Sequence, residues 1–165
     1  MAQALADIVD GMRAILVLER ELVVTMGTTL KVSVLSTLLA SAIGLPLGFL
    51  LAHRSFRGKQ LILAVLKTAL AVPTVLVALF VYSWITRNGP LGGLDLLFTP
   101  AAIVIGQTLL IVPLIAALVH GALYASIRIV HEEARLLGAS PLGAFWKTIL
   151  EARFGIMTAV MTAFG

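Results

Sequence analysis

The residues of this chain that could do chemistry are few, and none stands in a catalytic pattern. The carboxylates are Asp7, Asp10, Glu19, Glu21, Asp95, Glu132, Glu133 and Glu151. None of them lies within a long apolar run, so a buried carboxylate relay is not indicated. His131-Glu132-Glu133 lacks the second histidine, four residues after the first, that a zinc-protease helix requires. The absence of cysteine from the sequence excludes disulfides, zinc–thiolate sites and thiol chemistry.

Other catalytic and nucleotide-binding motifs are also missing from the sequence. There is no Gly-x-Ser-x-Gly elbow and no glycine-rich loop ending in Gly-Lys-Ser or Gly-Lys-Thr. We therefore expect no catalytic residue, no metal site, no cofactor and no enzymatic activity of the chain's own.

The polar stretch 131–150, HEEARLLGASPLGAFWKTIL, is the best candidate for a functional element. Two glutamates open a helical turn, Gly138 is suited to end it, and Ser140-Pro141 is suited to start a second helix. Phe145 and Trp146 then provide a large apolar face. Either this stretch docks a soluble partner on the membrane surface, or it is an interfacial loop without a partner. These features alone leave both interpretations open.

The amino-acid composition indicates the class of protein to which this stretch belongs. Of the residues, 60% are hydrophobic and only 12% are charged, and the mean hydropathy is +1.07. Soluble domains carry about a quarter charged residues, so the sequence predicts an all-α integral membrane protein with several spans. The net charge of +4 gives no support for a nucleic-acid partner.

The apolar runs predict membrane spans at about 23–52, 61–85 and 100–124, and a partial one at 154–165. The last run has only 12 residues, so we expect a chain truncated within its fourth span. Residues 1–21 are expected to form either an amphipathic interfacial helix or a frayed lead-in, and residues 22–165 the membrane domain. The basic loop 53–60 and the segment 125–153 are predicted to lie in the cytoplasm, which puts the N-terminus outside.

Three features inside the predicted spans have both a structural and a functional interpretation. Pro73, followed by Thr74, predicts a kink or an unwound segment, which is either static or part of a translocation path. Gly44 and Gly48, four residues apart, indicate either ordinary small-residue packing or a contact that matters in gating. His120 is interpreted mainly as a packed or interfacial side chain and secondarily as a ligand or proton carrier.

The stretch 131–150 resembles the EAA loop of ATP-binding-cassette importer permeases. The family pattern is Glu-Ala-Ala, three residues, Gly, nine residues, then Ile-x-Leu-Pro. Glu132, Ala134, Gly138 and Leu150 match it, whereas Glu133, Thr148 and Glu151 depart from it. The resemblance implies a coupling helix that docks in a groove of an ATPase subunit. The expected docking residues are Glu132, Glu133, Ala134, Arg135, Gly138, Ala139, Ser140 and Pro141.

The resemblance covers most of the chain. Residues 29–52 are similar to the first core helix of these permeases, and residues 71–92 are similar to the molybdate and tungstate branch, with the Leu97-Phe98-Thr99-Pro100 segment favouring the tungstate type. It implies an oxyanion importer, for tungstate, in the cell membrane. The implied partners are a second permease copy, two ATPase subunits, an extracytoplasmic binding protein and lipid. Pro73 and Thr74 are the candidate residues of the path.

Two other classes of function stay open at this point. One is a small helical membrane scaffold or channel subunit without an ATPase partner. The other is a membrane-embedded enzyme, for which Lys31, Lys67 and His120 are the polar groups at membrane depth.

Overall fold

The computed structural model describes residues 2–127, 130 and 132–164. The described residues form helices and no strand. The helices are α1 (Ala2–His53), α2 (Lys59–Ala71), α3 (Thr74–Ile85), α4 (Pro100–Ser126), α5 (Glu132–Leu136) and α6 (Pro141–Phe164), with a short 3-10 turn at Gly92–Leu94. The predicted all-α architecture is confirmed.

Helix α4 is the centre of the bundle and packs against α1, α2, α3 and α6. Its residues Ile115, Ala116 and Val119 are fully buried, and the helix is apolar on all sides. A helix that is apolar all round suits a position surrounded by protein and lipid, where no polar face is needed. Every other long helix is thus placed by its contact with α4.

Small residues bring α1 and α4 into close contact. Ser36, Ala40, Gly44, Gly48 and Ala52 recur every four residues along α1, and all five are buried. A Cβ at Gly44 would lie 2.9 Å from the Ile115 Cβ, and one at Gly48 would lie 2.8 Å from the Val119 Cβ. Such contacts allow backbones to approach closely, which is the main source of helix association in lipid.

A similar small-residue contact joins α6 to α4. A Cβ at Gly155 would lie 2.7 Å from the Ala122 Cβ. Ala152, Ala159 and Ala163 recur along α6 and are buried in one cluster with Val119 and Leu123 of α4, among others. The second half of α6 is therefore held closely against α4.

The helix boundaries differ from the predicted segments at both ends of the chain. Helix α1 is continuous from Ala2, with no break between residues 1–21 and the first span, and it stays helical through Pro46. The side chains of 1–10 and 12–18, on which the predicted amphipathic pattern depends, lie outside the described ones. The expected loop 125–153 contains α5 and the first part of α6. The predicted membrane boundaries within these helices remain predictions.

Among the residues that the structure describes, two helical stretches are long and apolar enough to cross a membrane, Glu19–His53 and Pro100–Tyr124. The predicted second span is instead two helices, α2 and α3, which meet at an angle of 100°. The predicted break at Pro73 is confirmed, and it is a sharp bend between two separate helices. Such a pair is either a broken span or a re-entrant segment.

Candidate functional site

The best-defined candidate functional element is the segment 132–141, which we call the docking segment after its predicted role. Its first part is α5, and the Leu137 N–H donates to the Glu133 carbonyl at 3.0 Å to complete the last turn. Gly138 then has φ of +84°, and the Ala139 N–H donates to the Ala134 carbonyl at 2.9 Å. This is the 6→1 bond of a Schellman cap, which requires a left-handed residue. The predicted stop at Gly138 is confirmed.

The second half of the docking segment starts α6. The Gly143 N–H donates to Ser140 Oγ at 3.1 Å, and Pro141 occupies the first helical position. Serine at the N-cap satisfies an N–H that the helix leaves free, and proline has no N–H to satisfy there. The predicted restart at Ser140-Pro141 is confirmed, so both sides of the turn are fixed by local hydrogen bonds.

Small buried residues anchor this turn to the bundle. Ala134 of α5 is 6% exposed, and Ala144 and Thr148 of α6 are buried completely or nearly so. The Thr148 hydroxyl donates to the Ala144 carbonyl at 2.9 Å, which satisfies its polar group inside the helix. The Phe145 ring meets the His53 ring edge to face, with centroids 5.1 Å apart. The turn is thus packed against the end of α1.

The opposite side of the turn exposes large apolar side chains. Leu136 and Leu137 are each 87% exposed, and Leu142 and Trp146 are also exposed. The sequence predicted Phe145 and Trp146 as one apolar face, and their rings lie edge to face with centroids 6.4 Å apart. Phe145 also packs on His53 and is half-buried, whereas Trp146 is exposed. We call Leu136, Leu137, Leu142 and Trp146 the apolar cap.

The predicted docking residues differ in their accessibility. Glu133, Gly138 and Ser140 are exposed, Ala139 is half-buried and Ala134 is buried. The side chains of Glu132, Arg135 and Pro141 lie outside the described ones. The predicted docking residues do not include Leu136 and Leu137. Their exposure could have been predicted from their position directly before Gly138. The helix ends there, so no later turn of α5 can cover the two leucines.

The second predicted element, Pro73-Thr74, lies between α2 and α3. Val72 and Pro73 are extended, with ψ of 127° and 133°, and the Leu76 N–H donates to the Pro73 carbonyl at 2.9 Å. Thr74 lines a cavity of about 750 Å³ between α3 and α4. Tyr82 and Gln107 add polar atoms to its wall. Thr74 therefore borders an open cleft between α3 and α4.

Helix α4 packs against α2 and α3, which flank one predicted element, and against α6, which begins at the end of the other. It packs along α3 next to the Thr74 cavity, and its C-terminal end leads towards α5. Near the other end of α4, Gln107 Oε1 lies 2.7 Å from the Ser36 hydroxyl of α1.

Comparison with known proteins identifies the type of molecule. The model of the family described as "Binding-protein-dependent transport system inner membrane component" matches residues 44–165. The chain belongs to this family. It is thus an integral membrane permease, and the family resemblance stated from residues 131–150 is confirmed.

Individual relatives agree with this assignment. The permease is 33% identical to a "Probable anion ABC transporter permease protein" of Haloferax volcanii, over 87% of this chain and 62% of that protein. It is 35% identical to a "Tungstate uptake system permease protein" of Peptoclostridium acidaminophilum, over 81% and 58%. A protein of the same description from Campylobacter jejuni is 35% identical over 96% and 68%. The permease chain spans less than two thirds of the length of the Haloferax and Peptoclostridium proteins.

Proposed function

We propose that this permease is the membrane-spanning subunit of an ATP-driven importer for an oxyanion, with tungstate as the substrate. The observation that carries the proposal is the exposed apolar cap. Local hydrogen bonds fix both ends of the turn that bears it, and small residues beside the turn are buried. Supporting it are the tungstate and anion permease descriptions of three relatives. Hydrolysis of ATP would belong to a separate ATPase subunit.

The docking segment has the properties of a protein-binding surface. Exposed leucines flanking an exposed tryptophan form a patch of the kind that marks interaction sites. Glu133 and Lys147 are exposed beside it and supply a polar rim. A groove on an ATPase subunit is the occupant that the EAA resemblance implies. The residues assigned to docking from sequence then set the shape of the turn, and Leu136 and Leu137 make the apolar contact.

The rigidity of this turn is what would allow it to transmit force. Ala134, Ala144 and Thr148 are buried, α5 packs on α6, and α6 packs on α4, so a displacement of the apolar cap would move α6 and α4 together. Closely packed small-residue contacts, such as Gly155 on Ala122, transmit displacement because they leave no free space. Closure of the ATPase subunits would thereby shift α4 relative to α3.

The translocation path is proposed to pass by Pro73 and Thr74. Helix α3 begins at Thr74, so the positive end of its dipole lies at the bend and favours an anion. The lack of carboxylates in the predicted spans suits a path that conducts an anion without repelling it.

The assembly that this function requires is part of the proposal. A second permease copy would complete the path, two ATPase subunits would bind the docking segments, and a binding protein would deliver the anion from outside. The orientation with the N-terminus outside is supported by Arg54, Arg57 and Lys59 in the loop between α1 and α2. That loop and the docking segment would then lie in the cytoplasm.

Docking is tested by co-purification of the ATPase with tagged permease. Leu136→Asp and Leu137→Asp should each abolish retention of the ATPase, because a desolvated carboxylate replaces an apolar anchor. Leu94→Asp is the matched control. Leu94 is 63% exposed and lies in the loop between α3 and α4, at the opposite end of α4 from the docking segment. Retention of the ATPase by both docking variants would refute the assignment.

The substrate is tested by uptake with the complete system of permease, ATPase and binding protein. ATP-dependent tungstate uptake that excess sulfate does not block, and that molybdate competes with, is the expected result. If sulfate blocks uptake, the importer function stands, but the substrate is a different oxyanion. Uptake that does not depend on ATP would refute the importer itself.

A further inference from the structure

The interface between α2 and α4 carries positive charge that neither the docking segment nor the Pro73 bend uses. Leu66 of α2 is buried with Leu51 of α1 and Ala116 of α4, and Leu63 packs against the same cluster. Lys59 and Lys67 lie four residues before and four after Leu63, so they share its side of α2. His120 lies four residues after Ala116 and shares its side of α4. The packing therefore brings three basic side chains towards one interface.

The His120 ring is held in place, and one of its nitrogens has no partner. The ring stacks on that of Tyr124, with centroids 5.7 Å apart and an angle of 21° between the planes. Its Nε2 atom is buried and makes no hydrogen bond with any described residue. A buried polar atom without a partner costs about 1–3 kcal/mol, which a ligand would recover. Lys59 and Lys67 are cationic groups near this partly buried ring.

The start of α2 adds to the positive character of this place. The helix begins at Lys59, after Gly58 with φ of +97°. Its first turn contains no acidic residue and receives no side-chain cap. The free N–H groups of a helix start carry partial positive charge, which Lys59 reinforces. Lys67 is exposed on an apolar helix, where an unpaired ammonium group is costly.

We infer that Lys59, Lys67 and His120 bind one tetrahedral oxyanion at the Lys59 end of the α2–α4 interface. The two ammonium groups balance a dianion, and the protonated Nε2 of His120 donates a hydrogen bond to one oxygen. Two sources supply this chemistry. One is a free oxyanion on the inner side, and the other is the phosphate of an anionic lipid headgroup, which basic residues near the inner leaflet attract. Binding at this site does not require the importer function, so the two proposals fail separately.

Binding is measured on the purified permease in nanodiscs, at fixed pH. In phosphatidylcholine nanodiscs, sodium tungstate and sodium phosphate are titrated by calorimetry. In nanodiscs that also contain phosphatidylglycerol, retention of that lipid is measured by native mass spectrometry. The variants are Lys59→Met, Lys67→Met and His120→Phe, which remove a charge or a ring N–H and keep the approximate shape. Lys31→Met on α1 is the matched control.

Each of the three variants should weaken binding about tenfold, the effect of losing one charge-assisted hydrogen bond. Lys31→Met should change it less than twofold. A loss confined to the titrated anions identifies a free oxyanion as the ligand, and a loss confined to lipid retention identifies the headgroup. Equal binding by all variants, or equal weakening by Lys31→Met, would overturn the site. Lys67 is exposed, so Lys67→Met is expected to fold. It therefore tests the site even if His120→Phe does not fold.

Discussion

Gly48 of α1 lies so close to Val119 of α4 that a Cβ on the glycine would be 2.8 Å from the valine Cβ and 3.0 Å from the Ala116 carbonyl oxygen. Gly44 stands in the same relation to Ile115 and Val112 one turn earlier. Because both residue numbers increase together, α1 and α4 run parallel at this contact. The pair of glycines sets the distance between the two helices on which the bundle is built.

Replacing Gly48 by valine should therefore separate the two helices. Overpacking at a close contact costs about 1–3 kcal/mol, and here Val119 and the α4 backbone must move. Unfolding of the purified permease in detergent, followed by circular dichroism during a denaturant titration, should show the loss. Gly27→Val is the control on the same helix, since nothing lies within 4 Å of a Cβ there. Equal stability of both variants would contradict the close-contact interpretation.

Ser140 should contribute to stability through its hydrogen bond to the Gly143 N–H. Ser140→Ala removes this cap and should cost about 1 kcal/mol, whereas Ser140→Asp should preserve it. Hydrogen exchange of the first turn of α6 is the direct measurement. Faster exchange in the alanine variant alone is expected, and unchanged exchange would show that the cap is not needed to start α6.

Gly138 should be sensitive to substitution because of its backbone angle and not because of crowding. A Cβ there meets nothing within 4 Å, but φ is +84°. Valine in the left-handed region costs about 1–2 kcal/mol, so Gly138→Val should distort the turn that presents Leu136 and Leu137. Uptake per ATP hydrolysed should fall, which is uncoupling.

The control for Gly138 is asparagine, which adopts the left-handed region more readily than other residues. Gly138→Asn should keep most of the coupled uptake of the unmodified permease. Normal coupled uptake by the valine variant would refute the docking role of this turn.

Thr74 should be reachable by water if it lines a path. The chain contains no cysteine, so single-cysteine variants can be labelled without further changes. Thr74→Cys should react with a charged thiol reagent and be protected by tungstate. Leu79→Cys should not react, because Leu79 is 58% exposed on α3 but lies outside both described cavities and is expected to face lipid. No reaction at Thr74, or equal reaction at Leu79, would contradict the proposed path.

Much of the architecture followed from local sequence. Long runs without charge predicted helices, because only a helix satisfies its own backbone in lipid. Gly138, Ser140 and Pro141 predicted the turn between α5 and α6, because each acts through the few residues next to it. Pro73 predicted the bend between α2 and α3 by the same kind of local effect, the loss of one N–H and a steric restriction on Val72.

Other features could not be read from local sequence. The size of the bend, 100°, depends on how α2 and α3 each pack against α4. The burial of Ala134 and the exposure of Leu136 depend on which side of a five-residue helix meets the bundle. Phe145 and Trp146 are adjacent in sequence, yet Phe145 is half-buried against His53 while Trp146 is exposed.

The sequence by itself determined the class of protein, the helices, the capped turn and the family resemblance, because composition, periodicity and capping act within a few residues. The tertiary structure decided which surfaces are free to act. It left the apolar cap exposed, closed the Gly48 contact with Val119, and brought Lys59 and Lys67 to the same interface as His120. The last two depend on contacts between residues some fifty or more positions apart, which the packing of helices onto α4 brings together.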